Sequence, residues 1–257
     1  MAAVRRSAST LGLLALAAVT VVLCVLALRP QSAPDSPAAS GQGGPTAASP
    51  STPGPASTPS SAASQGRTVA VYGDAISAGG GSIEDPQQLP DRSWVGYLSD
   101  QGLRYVGGEA TTGETTARAA SDPPEVDADL HVAFLGLSDA YAGRSIDQVI
   151  GSLKDLQTAV SPDSPGSFVV AALGPARGLS PATLGSWNSA LRQAATDNGW
   201  QFVDPWSTLR TDDFGWTETR FSYNATTPSV EGAKVLGANL ARALAAAPSP
   251  TATTATS

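Results

Sequence analysis

The sequence is poor in the side chains that support thiol and metal chemistry. Among 257 residues there is one cysteine, Cys24, and one histidine, His131. Disulfide frameworks and Cys/His zinc sites need several such residues at short spacings, and no HExxH or comparable spacing is present. The sequence therefore predicts no disulfide, no metal site and no cofactor.

Positive charge is also scarce. The chain has 15 lysines and arginines against 22 aspartates and glutamates, a net charge of −7. Three of the arginines lie in the first 66 residues, where Asp35 is the only carboxylate, so the remainder is more acidic still. Nucleic-acid binding normally relies on clustered lysine and arginine. Because no basic cluster is present, nucleic acid is not an expected partner.

One long apolar run stands near the start of the chain. Residues 11–28 carry no charge, and as a helix they would extend about 27 Å, close to the thickness of a bilayer core. Arg5 and Arg6 precede the run, and no Ala-x-Ala cleavage site follows it. Residues 1–29 are therefore predicted to be a signal anchor, a single transmembrane helix that leaves the rest of the chain outside the cell membrane. The alternative is cleavage and secretion.

Composition divides the rest of the chain into three segments. Residues 30–66 are almost entirely serine, alanine, proline, glycine and threonine, which cannot bury enough apolar surface to fold, so a disordered linker is expected. Residues 67–247 carry alternating apolar and amphipathic segments and form the expected folded domain. Residues 248–257 are a predicted disordered tail.

Five short apolar segments alternate with helical patterns in residues 67–247. The predicted strands are 68–72, 103–106, 130–135, 168–173 and 200–203, and the predicted helices begin near Ser93, Thr115, Ser145, Ser180 and Ser229. Such alternation indicates right-handed βαβ units and a parallel sheet covered on both faces. Ligands bind beyond the carboxyl ends of such strands. The loops of interest are therefore 73–92, 107–114, 136–144, 174–180 and 204–228.

Four motifs on these loops resemble, in order, the sequence blocks of the SGNH/GDSL hydrolases. They are GDAIS at residues 73–77, GGEATTG at 107–113, GLSD at 136–139 and NATTPS at 224–229. The resemblance implies an α/β, SGNH-hydrolase-like (flavodoxin-like) three-layer fold with a five-stranded parallel sheet, preceded here by the transmembrane helix.

The resemblance also implies an active site that has lost its catalytic side chains. Ala75 stands where the family has its nucleophilic serine, Thr227 where it has the histidine base, and Asn224 where it has the orienting aspartate. Acyl transfer needs a nucleophile and a base, and neither alanine nor threonine supplies one near neutral pH. No catalytic residue is expected, and Ala75, Asn224 and Thr227 are vestigial positions.

Some of the oxyanion machinery is predicted to remain. The resemblance places backbone donors at Ala75 and Gly113, and it places Ser138 where the family has a donating asparagine. Asp74 and Asp139 are retained, either to bind a ligand or to hold loop backbone by hydrogen bonds. Retained donors without a nucleophile describe a site that binds a carbonyl, carboxylate or phosphate without cutting it.

Other residues are weak substitutes for the missing groups. The hydroxyls near the motifs are those of Ser77, Ser222 and Thr226, with Asp139 or Glu231 as the available bases. A carboxylate with a pKa near 4 is poorly matched to a hydroxyl nucleophile. His131 occupies the second position of its predicted strand, away from the ligand end. Aromatic residues in 204–228 either stack on a sugar ring or fix the loop to the domain.

Three functional hypotheses follow. The first is a pseudoenzyme, a non-catalytic binding or scaffolding module at the cell envelope whose ligand is an acylated glycan or another envelope component. The second is an active ester hydrolase, acetyl esterase-like or lipase-like, that uses non-standard residues. The third is a structural domain without a ligand.

Overall fold

The computed structural model describes residues 66–246. The predicted transmembrane helix, nearly all of the predicted linker and the predicted tail lie outside these residues. Between residues 66 and 246, no helix has the length and apolar character needed to cross a membrane.

The fold is built on one parallel sheet of five strands. In chain order the strands are β1 (Thr68–Gly73), β2 (Arg104–Ala110), β3 (Leu130–Phe134), β4 (Phe168–Ala171) and β5 (Gln201–Val203). Their order across the sheet is β2-β1-β3-β4-β5, and every pairing is parallel. Residues of β1, β3 and β4 are almost all buried, as expected for central parallel strands covered on both faces. The predicted five-stranded α/β fold is confirmed.

Strand β2 differs from the prediction. The sequence indicated a strand over 103–106 and a loop from 107, but the strand continues through both glycines to Ala110. A register shift at Val69/Ala70 brings Gly108 opposite Val71. A side chain on Gly108, whose φ is +134°, would overlap the Val71 carbonyl, so only glycine allows the strands to approach there. The glycines that suggested a loop thus extend the sheet.

Six α-helices occur between residues 66 and 246. They are α1 (Ala75–Ala78), α2 (Thr116–Ser121), α3 (Leu137–Tyr141), α4 (Ile146–Val160), α5 (Pro181–Asn198) and α6 (Val230–Ala246). Ser145 and Gln148 form a capping box at the start of α4, and the Ser180 side chain caps α5, as their sequences indicate. The short helices α1 and α3 lie inside predicted loops. The helix expected at Ser93 is a single 3-10 turn, Trp94–Tyr97, capped by Ser93.

The helices form two groups with the sheet between them. Helix α4 packs against α2 and α5, and α5 also contacts β4 and β5. Helix α6 packs instead on the 3-10 turn Trp94–Tyr97 and on β5. The core includes the fully buried indoles of Trp94 and Trp206. This three-layer arrangement leaves the loops at the carboxyl ends of β1, β2 and β3 free to form a site.

Candidate functional site

Asp74 follows the last residue of β1 and caps the start of α1. Its side chain is 1% exposed, and its Oδ1 accepts a hydrogen bond from Ile76 N at 3.1 Å, which caps α1. The backbone of Leu137 and Ser138, in the first turn of α3, lies near this carboxylate and lowers its pKa, against the larger effect of burial. Burial raises the pKa of Asp74 to about 7, and the nearby Asp139 carboxylate adds to the increase. Asp74 therefore positions backbone rather than facing solvent.

Asp139 has a similar role and joins α3 to α2. It is completely buried, and its two carboxylate oxygens accept bonds from Thr116 N at 2.9 Å and Thr116 Oγ1 at 3.1 Å. Arg144 Nε lies 3.7 Å from Asp139 Oδ1. These contacts fix α3 to the start of α2, next to the loop that carries Gly113.

The two predicted oxyanion positions lie on adjacent loops. Ala75 is the first residue of α1 and is partly exposed. Gly113 is exposed, with φ +87° and open space where a side chain would project. Thr111 N donates to the Gly73 carbonyl at 3.3 Å, which places the turn before Gly113 against the end of β1. Ser138, in the first turn of α3, is half-buried.

Asn224 and Thr227, the predicted vestigial positions of an orienter and a base, are joined directly. Asn224 Oδ1 accepts hydrogen bonds from Thr227 Oγ1 at 2.9 Å, from Thr227 N at 2.7 Å and from Thr226 N at 3.1 Å. Both side chains are therefore engaged in closing their own turn. Neither offers a basic nitrogen or a negative charge, so this pair cannot take a proton from a nucleophile near neutral pH.

Three carboxyl-end loops meet at Thr226. Its Oγ1 accepts a hydrogen bond from Arg177 N at 3.2 Å and lies 3.4 Å from the hydroxyl of Tyr141. Tyr141 Oη in turn donates to the Arg177 carbonyl at 2.8 Å. Thr226 is therefore occupied in joining the loop after β4 to α3 and to the loop before α6.

Ser77, Ser222 and His131 are the remaining candidates for a nucleophile or a base, and each is buried or engaged in local contacts. Ser77 has no exposed surface, and its Oγ accepts a hydrogen bond from Trp94 Nε1 at 3.0 Å. Ser222 Oγ accepts from Ala225 N at 2.8 Å and so also serves its turn. His131 lies near the amino end of β3, is 4% exposed and stacks against Tyr72. None of the three forms a hydrogen-bonded pair with a base at the ligand end.

The aromatic residues of 204–228 differ in their exposure. Trp206 is fully buried and donates from Nε1 to the Ala172 carbonyl at 2.8 Å, so it fixes the loop to the core. Tyr223 is 63% exposed, and the Arg92 guanidinium lies 3.8 Å from its ring centroid. With Tyr141 and Val230 it makes up the exposed large apolar side chains of residues 66–246. All three lie on or beside the loops at the ligand end.

Glu114 is a site feature that the sequence did not reveal. It follows Gly113, is 2% exposed, and has Arg118 Nε 3.6 Å from its Oε1 as an ion-pair partner. Burial raises its pKa, which Arg118 partly offsets. The GGEATTG motif ends one residue earlier, and nothing in the local pattern marks a glutamate as buried. Across the described residues, no three His, Cys, Asp or Glu side chains are arranged to hold a metal ion.

Comparison with known proteins identifies a family and similar folds. The profile of the GDSL-like lipase/acylhydrolase family matches residues 71–235, whereas no curated protein sequence matches the chain significantly. The fold is similar to a lipolytic protein of the G-D-S-L family from Desulfitobacterium hafniense DCB-2 (18% identity, 69% of this chain and 99% of that chain, TM-score 0.57). It is also similar to a serine-to-alanine catalytic mutant of an acetylxylan esterase from Geobacillus stearothermophilus (19% identity, 70% and 94%, TM-score 0.55).

Proposed function

The chain belongs to the GDSL-like lipase/acylhydrolase family, and from that premise we propose that it is a non-catalytic member that binds an acylated ligand without hydrolysing it. The observation that carries the proposal is the pairing of Asn224 with Thr227 in a chain that has alanine at position 75. A serine hydrolase that lacks its nucleophile and its base keeps at best the modest acceleration supplied by binding and oxyanion donors.

The scaffold around the missing groups supports retention of binding. Asp74 caps the start of α1, and Asp139, which lies in α3, accepts a hydrogen bond from Thr116 N at the start of α2. Helices α1 and α3 carry Ala75 and Ser138, so potential donors remain on a rigid frame.

We assign the ligand class from the exposed rings at this end of the molecule. Tyr141 and Tyr223 present apolar surface beside the hydroxyl and amide groups of Asn224 and Thr227. One face of Tyr223 is covered by Arg92, which leaves the other to contact a ligand. Exposed aromatic surface next to oriented polar groups is typical of a binding face, and an acetylated sugar offers both an apolar ring face and a carbonyl.

The proposal includes a location at the cell membrane, and the apolar run at 11–28 supports it. In the proposal this run anchors the chain as a single-pass helix with the domain outside, where acylated envelope glycans are available. Protease digestion of intact cells tests this arrangement. Loss of the domain with retention of a membrane-bound fragment is the expected result, and recovery of the whole chain in the medium would favour secretion.

Reconstruction of the catalytic residues tests the loss of chemistry. Hydrolysis of p-nitrophenyl acetate is measured for the full chain and for the triple variant Ala75→Ser, Asn224→Asp, Thr227→His, with Ala75→Ser alone as the control. Wild type and the single variant should stay at background, and the triple variant should exceed them by about 10²-fold or more, because the three groups act as a unit. Wild-type turnover together with fluorophosphonate labelling would instead identify an active esterase.

Calorimetric titration tests the ligand class. Acetylated xylo-oligosaccharide should bind the wild-type chain, and binding should weaken on removal of the acetyl groups and in Tyr223→Ala. The matched control is Tyr97→Ala, which removes a half-buried tyrosine from the 3-10 turn that packs on α6. Equal binding of acetylated and deacetylated sugar would contradict a role for the retained donors, and no binding to either would exclude this ligand class.

A further inference from the structure

An arginine side chain lies between the loop after α1 and the turn that contains Asn224. The Arg92 guanidinium carbon, Cζ, lies 3.8 Å from the ring centroid of Tyr223, the residue before Asn224. The same guanidinium lies against Gly80, where a side chain would overlap it. Gly80 follows α1, the short helix that begins at Ala75. Arg92 therefore contacts both of the loops that carry vestigial catalytic positions.

The backbone at Arg92 is held in place by packing on α1. Ser93 Oγ donates a hydrogen bond to the Ser77 carbonyl at 2.5 Å and caps the 3-10 turn that follows. A side chain on Gly79, which ends α1, would overlap the backbone of Arg92 and Ser93. Because its backbone packs on α1 and its guanidinium on an aromatic ring, Arg92 needs little further ordering to receive a ligand.

Arg92 differs from the other half-buried arginines of residues 66–246 because its guanidinium has no oxygen partner. Those others contact the Leu244 carbonyl (Arg67, 3.4 Å), Asp139 (Arg144, 3.7 Å) and Asp204 (Arg210, 2.7 Å). Arg210 also lies over an aromatic ring and is nevertheless paired with a carboxylate. A ring face supplies no oxygen, so the charge and the N–H donors of Arg92 remain available to a ligand.

The charges around Arg92 do not neutralise it. Asp85 and Asp91, on the same loop, form no ion pair with it, and the Asp85 carboxylate accepts hydrogen bonds from its own loop instead. Arg177 adds a second exposed arginine at this end, and its backbone N–H donates to Thr226 Oγ1. In a chain of net charge −7, this end of the domain therefore carries positive charge that the described residues leave unpaired.

We propose that Arg92 binds an anionic group, a carboxylate or a phosphate, on the acylated sugar, so that the ligand is an acidic acylated glycan. The inference rests on the proposed function and narrows its ligand class. A guanidinium pairs with either anion through parallel N–H···O bonds, which add both affinity and orientation. With one face of its ring against Arg92, Tyr223 is 63% exposed and offers the remaining surface to the sugar. Arg92 and Tyr223 together would then recognise the acid and the ring of one ligand.

Matched sugars test this assignment by calorimetric titration of the full chain. N-acetylglucosamine is the neutral probe, N-acetylmuramic acid adds a carboxylate to the same acetylated ring, and N-acetylglucosamine 6-phosphate adds a phosphate. At least one acidic sugar should bind about tenfold or more tightly than the neutral one, the factor that a charge-assisted hydrogen bond supplies, and the preferred sugar identifies the anion. Equal affinity for all three, or no binding of either acidic sugar, overturns the inference. The proposed function is tested separately, by acetylated xylo-oligosaccharide.

Variants of Arg92 separate a specific contact from general charge attraction. Arg92→Gln should reduce the preference for the acidic sugar to less than about twofold and leave the affinity for the neutral sugar unchanged. Arg92→Lys keeps the charge but not the planar donors and should show an intermediate preference. The matched control is Arg104→Gln, an exposed arginine at the start of β2, which should keep the full preference. Equal loss of preference in Arg92→Gln and Arg104→Gln would refute the assignment.

Discussion

Replacement of Asp74 by asparagine should change how the stability of the domain depends on pH. Burial raises the pKa of this carboxyl to about 7 in the folded chain, against an ordinary value of 3.8. A carboxyl whose pKa is higher in the folded state binds its proton more tightly there. The contribution of the protonated Asp74 carboxyl to the free energy of unfolding is therefore complete below pH 3.8, declines as the pH rises and is lost above pH 7.

The size of the effect follows from the difference between the two pKa values. Each pKa unit corresponds to about 1.4 kcal/mol, so ionised Asp74 lowers the free energy of unfolding at pH 8 by about 4 kcal/mol relative to pH 3. Asp74 is 1% exposed, so solvent screening reduces this figure little. Asparagine cannot ionise, and its carbonyl oxygen can still accept the Ile76 N–H bond that caps α1.

Urea unfolding at pH 5, 6.5 and 8 measures the effect as a difference between wild type and Asp74→Asn. The difference cancels other groups, including His131, whose lowered pKa makes folding less favourable as the pH falls through 6.5. Between pH 5 and pH 8 the free energy of unfolding of the variant should rise by about 2–3 kcal/mol relative to that of wild type, since part of the effect already occurs between pH 3.8 and pH 5. Asp155→Asn serves as an exposed control for the loss of one charge. A difference that is constant across this range would show that Asp74 is not desolvated as the structure indicates.

Two further predictions concern packing around the sheet. Asn188→Leu should lower the free energy of unfolding by about 1–3 kcal/mol in urea, because the buried amide accepts from Leu173 N at 2.7 Å and its loss leaves that N–H unpaired. The Leu173 carbonyl, to which the amide donates at 3.0 Å, keeps a second hydrogen bond from Arg210 Nη1 at 3.2 Å. An unchanged midpoint would contradict this. Gly174→Ala should abolish soluble expression because the added methyl group overlaps the Trp206 ring. Its matched control is Gly151→Ala, at an open helical position of α4, which should raise the free energy of unfolding measured in urea by about 0.5–1 kcal/mol.

Local patterns predicted the sheet and the long helices well. The fourth and fifth helices begin one residue after serine caps that the sequence marked, because an N-cap is set by neighbouring residues alone. Strand β2 was predicted too short because its continuation through Gly107 and Gly108 depends on pairing with β1, which no local pattern records. Helices α1 and α3 were missed for a related reason. Each has only four or five residues and is stabilised by capping or packing contacts rather than by periodicity.

The candidate site was likewise predicted only in those features that local motifs determine. The order of the four motifs placed Asp74, Ala75, Gly113 and Ser138 on neighbouring loops, since parallel strands deliver their carboxyl ends to one edge. The burial of Glu114 and the meeting of loops at Thr226 could not be predicted, because both depend on contacts between segments distant in sequence.

The site residues that remain are those whose contacts do not require catalysis. Asp74 and Asp139 bond to backbone and to Thr116, and these bonds would be made whether residue 75 is serine or alanine. Removal of either carboxylate would leave buried N–H groups without acceptors, which carries a stability cost. Replacement of a partly exposed serine by alanine at position 75 carries no such cost, because the side chain there caps no helix and holds no loop. Under the proposed non-catalytic role, alanine at position 75 together with an intact loop frame is therefore the expected combination.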